Sequence, residues 1–135
     1  MANAIYPKAR EKWALGEIDW VDDDIIVILL DLQGGTGYTY DDSHEFLSDV
    51  PADARVATAS LTGKTAVNGV LDADDVTFPT VTGNQSEALV IAKDTGSDAT
   101  SPLLIYIDTA DSGLPVTPNG GDIDVKWHAN GIAVL

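Results

Sequence analysis

From Arg55 to the C-terminus the chain is a series of short β-prone runs, each closed by a turn signal. The runs are Arg55–Leu61, Thr65–Leu71, Val76–Val81, Ala88–Lys93, Leu103–Asp108, Ile123–His128 and Ile132–Leu135. Between them stand Thr62-Gly63-Lys64, Thr82-Gly83-Asn84, Asp94-Thr95-Gly96-Ser97-Asp98, Asp111-Ser112-Gly113 and Pro118-Asn119-Gly120-Gly121. Gly and Asn accept the left-handed backbone that tight reversals need, and no helical periodicity fits the intervals. Strands this short and this regularly spaced predict a mainly β fold, a single antiparallel β-sandwich or barrel of jelly-roll-like type. Pro79 has no amide hydrogen to give a ladder, so its strand belongs at an edge or a bulge. One earlier run, Ile25-Ile26-Val27-Ile28-Leu29-Leu30, is continuously apolar and β-branched, as expected of a strand covered on both faces.

The opening reads differently. Pro7 suits a first helical position, helix formers follow through Leu15, and Gly16 stands where a C-terminal cap belongs. Ile5, Ala9 and Trp13 recur every four residues with Tyr6 beside them, which gives one apolar stripe. The expected organisation is an N-terminal helical arm over residues 1–20 and a β-sandwich domain over 21–135. Within the latter, Gln33-Gly34-Gly35-Thr36-Gly37 reads as a flexible turn. Asp41-Asp42-Ser43 offers a cap for a short helical turn through Glu45-Phe46-Leu47, which Pro51 ends.

Charge narrows the partners. Seven basic against 22 acidic side chains leave −15, which excludes phosphate backbones and anionic membranes, since both need clustered Lys and Arg. A hydrophobic share of 44% is nevertheless enough for a packed core. Cysteine is absent, no run is long enough to span a bilayer, and the first residues lack the order of a secretory signal. The expected site of synthesis is therefore the cytoplasm. Residues 1–12 depart from the rest at +2, leaving −17 on the remainder. Two readings of that segment stand side by side: a solvated basic helix face closing one end of the core, or an adhesive arm. In the second, Ile5, Tyr6, Lys8, Arg10, Lys12 and Trp13 form the interface, because aromatic and Arg side chains anchor contacts. Deleting residues 2–15 would then remove adhesion and leave the β domain folded.

Residues with chemical potential form no reactive set. Gly63-Lys64-Thr65 ends like a phosphate-binding loop, but Thr58 stands where the first Gly is required and a strand follows instead of a helix. A hairpin turn with Lys64 in solvent fits better. Asp22-Asp23-Asp24, Asp72-Ala73-Asp74-Asp75 and the pair Asp94 and Asp98 lack calcium-loop spacing. His44 and His128 are the only histidines and make no zinc pair. Ser43-His44-Glu45 is explained by a capped turn, and nothing singles out a carboxylate pair for glycoside cleavage. No catalytic residue, metal or cofactor is expected. Trp13, Trp20 and Trp127 would stack on sugars if exposed, but Trp127 alternates with Ile123 and Val125, as a core residue does.

Several segments together carry a likeness. They are Ala2-Asn3-Ala4-Ile5-Tyr6-Pro7-Lys8-Ala9-Arg10, Ile18-Asp19-Trp20, Tyr38-Thr39-Tyr40, Ser43 to Pro51, and Arg55-Val56-Ala57-Thr58. Asp74 to Pro79, Ser86 to Ile91 and Gly113 to Gly121 continue it. Over nearly its whole length the chain resembles a group of small structural proteins of tailed bacteriophages. The resemblance implies a virion component without enzyme activity and carries no functional residue. One departure is the C-terminal Asn130-Gly131-Ile132, where an aromatic residue is expected. With the charge and the β body, the likeness points to a capsid decoration or cement protein. It would bind the outside of the major capsid shell, or another virion protein, as a homo-oligomer; a trimer would suit three-fold shell positions. The alternatives are a tail, neck or fibre-adaptor component and a carbohydrate-binding module for host attachment.

Overall fold

The computed structural model describes residues 4–32, 37–83, 85–108, 116–127 and 131–134. Most of the expected turn at 33–37, the turn at 111–113, Asn84, His128 and Leu135 lie outside them. The fold is mainly β, with antiparallel sheets and one short helix near the N-terminus. Among the described residues the sheets are open and no closed barrel forms.

The main sheet has five strands in the order β1 (Ala4–Ile5), β8 (Leu103–Ile107), β7 (Ala88–Lys93), β2 (Ile25–Leu30) and β3 (Arg55–Ser60). The apolar run of β2 takes a middle position, paired antiparallel with β3 on one side and β7 on the other. Every residue of β8 is buried, as is all of β7 except Lys93. Such strands must be covered on both faces, and the register shows how. Tyr106, Val90 and Ile28 share one face, which meets the tyrosines of 38–40. Ile105, Ile91 and Val27 share the other, and Ile105 lies across a groove from the C-terminal strand. Register shifts at Leu29/Leu30 and Ile91/Ala92 mark bulges in the two flanking ladders.

Two small sheets complete the body. One runs β10 (Ala133–Val134), β5 (Val70–Asp72), β4 (Thr65–Val67); the other pairs β6 (Val76–Phe78) with β9 (Ile123–Val125). Tryptophan N–H groups fasten both, the first to the segment before β2 and the second across the ends of its own strands. Trp20 Nε1 donates to the Asp72 carbonyl at 3.1 Å, and Trp127 Nε1 to the Asp74 carbonyl at 2.9 Å. Strand β6 ends before Pro79 and lies in a two-stranded sheet, where a missing amide costs no central ladder bond. The helix α1 covers Pro7–Ala14, with Pro7 in its first turn and Gly16 left-handed just beyond its end.

The structure corrects three expectations. Residues 65–71 are not one strand: Asn68 (φ 53°) and Gly69 (φ 79°) are both left-handed and fold the segment into the β4–β5 hairpin. Two consecutive positive φ angles are what a two-residue reversal of the strand twist requires, and Asn-Gly supplies them. Second, 61–64 is no hairpin, because β3 and β4 lie in different sheets. Lys64 is half-buried there, its ammonium donating to the Asp23 carbonyl. Third, the opening is not an arm apart from a β domain. β1 pairs with β8, and Tyr6 and Ala9 have no exposed surface.

Candidate interaction surface

The six residues expected to form an adhesive arm divide by the direction they face. Tyr6 is in the core, its hydroxyl 2.6 Å from that of Tyr38. Trp13 is half-buried against the core. Lys12 is tied inward, 2.6 Å from Glu45 and with its ammonium 5.1 Å from the centre of the Phe46 ring; its side chain is only 13% exposed. Lys8 is exposed and loosely paired with Glu11 at 3.7 Å. Only Ile5 and Arg10 turn toward a shared feature, a groove of about 330 Å³ at the open edge of the main sheet. Deleting residues 2–15 therefore strips a strand and two core side chains, and cannot leave the remainder intact.

The groove lies between the two outermost short strands, β1 and β10. Ala4, Ile5, Ile105, Ile132, Ala133 and Val134 line it, and among the described residues Arg10 is its single charge. Among the described residues the Arg10 guanidinium has no ion-pair or hydrogen-bond partner. This separates it from Lys12, Arg55, Lys64 and Lys93, which all hold the fold together. Lys126 is exposed and does not line the groove.

A row of valines extends this surface. Val67 faces Val70 in one ladder and Val70 faces Val134 in the next, so the three stand side by side on one face of the small sheet. Val67 is 63% exposed and Val134 60%, on a chain of charge −15. The opposite face carries Ala66, Leu71 and Ala133, and Leu71 is buried there. Gly131 allows the close approach: a Cβ at that position would lie 2.5 Å from Val70 Cγ1. Val134 belongs to both row and groove, so the two form one patch, uncharged among the described residues and edged by Arg10. The sequence contained a signal for it, since Asn68-Gly69 predicts the hairpin that lifts Val67 outward. The register with Val134 had no local signal.

A second cluster is internal. The Tyr38 hydroxyl lies between that of Tyr6 and the His44 Nδ1, the latter at 2.8 Å, and the Tyr40 and Tyr106 rings meet tilted with centres 5.0 Å apart. Burial raises the Tyr6 phenol strongly and pushes those of Tyr38 and Tyr106 up to about 12, so all three stay neutral near pH 7. The cluster fixes the start of α1 to the 38–44 segment. Ser43 Oγ donates to Asp41 at 2.7 Å while His44 bonds Tyr38, so the two do not form a nucleophile–base pair.

The carboxylates likewise serve turns. Asp19 accepts the amides of Val21 and Asp22, and Asp75 accepts that of Trp127. Asp23 accepts the Asp19 amide and pairs with Lys93 at 3.1 Å. Burial opposes its charge, but these two partners outweigh burial and hold its carboxyl below the usual range. Among the described residues no group of three or more His, Asp or Glu is placed to hold a metal. Trp20 and Trp127 are buried and Trp13 half-buried, so none offers the open ring face that a sugar platform needs. The chain matches no protein-family model and no curated protein.

Proposed function

We propose that this chain is a non-enzymatic structural protein of a tailed-phage virion that seats on the outside of the major capsid shell and stabilises it. The observation that carries the reading is the uncharged valine row with its Arg10-edged groove, set on a body of charge −15. Charge of one sign keeps free copies apart before assembly. Adhesion must then come from a local exception, and apolar patches with an unpaired Arg are what interfaces use. The thick main sheet, buried on both faces, supplies a stiff body for such a role. The resemblance over nearly the whole chain points the same way.

The test is addition of the purified chain to shells that lack it, followed by reconstruction of the particle. Binding at hundreds of surface positions is expected, with the valine row against the shell. Occupancy of only about a dozen positions at one vertex would make it a tail or neck component instead. No particle binding would end the reading.

A further inference from the structure

We infer that the groove takes an extended, carboxylate-bearing segment of the partner protein as an added strand on β1. The inference rests on the reading of this surface as the interface and names how it is used. Strand β1 is the outer strand of the main sheet. Tyr6 N–H donates to the Leu104 carbonyl at 3.0 Å, and Ala4 stands opposite Tyr106. Inward and outward bonding groups alternate along an antiparallel strand, so the amide and carbonyl of Ile5 point away from β8. Among the described residues no strand pairs with that edge, so one donor and one acceptor stand on the outer side of β1, beside the groove that the Ile5 side chain lines, as the start of a ladder for an incoming backbone.

The groove also specifies what the incoming strand carries. Its apolar walls suit alternate side chains of an extended segment. Arg10 suits a carboxylate, which its planar fork can hold by two parallel hydrogen bonds. A second copy fits less well. The outer strands of the two larger sheets are Ala4–Ile5, Arg55–Ser60, Ala133–Val134 and Thr65–Val67, and none contains an acidic residue. Pairing of β1 with any of those four strands of a second copy would leave Arg10 unmatched.

The experiment uses the full chain, isotope-labelled, titrated with a capped peptide Thr-Val-Glu-Val-Thr and its Thr-Val-Lys-Val-Thr counterpart. Expected are chemical-shift changes at Ile5, Arg10 and Val134, and slowed exchange of the Ile5 amide, with the glutamate peptide bound more tightly. Arg10→Glu should weaken the glutamate peptide by about tenfold and favour the lysine one. Ile5→Pro removes the outward amide and should abolish binding of both; Arg10→Glu, on an exposed side chain, stays informative if that variant does not fold. Equal affinity for both peptides, no binding of either, or protection of Ile5 by concentration alone would overturn the inference. The last result would assign the groove to a second copy. Shells decorated by a chain that ignores the peptides would leave the virion role standing without this mode. Peptide binding by a chain that ignores shells would do the reverse.

Discussion

The main sheet and the β10-β5-β4 sheet are built from the same kind of antiparallel strand, and they end in opposite conditions. Strand β8 has no exposed residue, whereas all three residues of β4 are exposed. The difference lies in what covers each sheet. The tyrosine segment and the small sheets enclose the main one, while the β10-β5-β4 sheet buries only Leu71 fully, packs Ala133 partly against the core and leaves Val67 and Val134 outside. Stability is thus concentrated in strands that are buried twice, and the proposed function assigns adhesion to a sheet that contributes less to the core.

Truncating the interior should give the largest effect. Leu104→Ala or Leu89→Ala in the main sheet should cost about 2–5 kcal/mol in urea unfolding. Shell binding per folded molecule should be unchanged, and a selective loss of binding would erase the division. Tyr38→Phe comes next, at about 1–3 kcal/mol, because it strips the fully buried Tyr6 hydroxyl of its partner. An alkaline titration sharpens the same point. Burial raises the folded phenols of Tyr38 and Tyr106 to about 12, against roughly 10 in the unfolded chain. Their contribution is complete below about pH 10 and is lost as pH rises through about 12. Tyr106→Phe should flatten that alkaline decline. The smallest stability change is expected from Val67→Asp or Val134→Asp, within about 0.5 kcal/mol at such exposed sites. Those variants should nonetheless lose shell binding.

Much of the interior was legible because its signals are local. Ile25–Leu30 has no polar residue to turn outward, so its two-sided burial follows from composition. Pro7 and Gly16 bracket α1 for reasons of backbone geometry alone. The fate of the opening was not legible in that way. Tyr6 looks like an adhesive aromatic until Tyr38, far along the chain, is seen to bond it, and a strand as short as Ala4–Ile5 leaves no pattern. Lys12 likewise looks free until Glu45 and Phe46 are placed beside it. The valine row depends on Val70 meeting Val134, a pairing set by sheet topology. Only the Asn68-Gly69 reversal announced any part of it, and reading 65–71 as one strand missed that.

The most direct test of the account is shell occupancy by the double variant Val67→Asp/Val134→Asp, measured beside its unfolding curve. A chain that unfolds like the parent but no longer decorates shells is the predicted result. A chain that unfolds like the parent and still fills every position would show that adhesion resides elsewhere on the molecule.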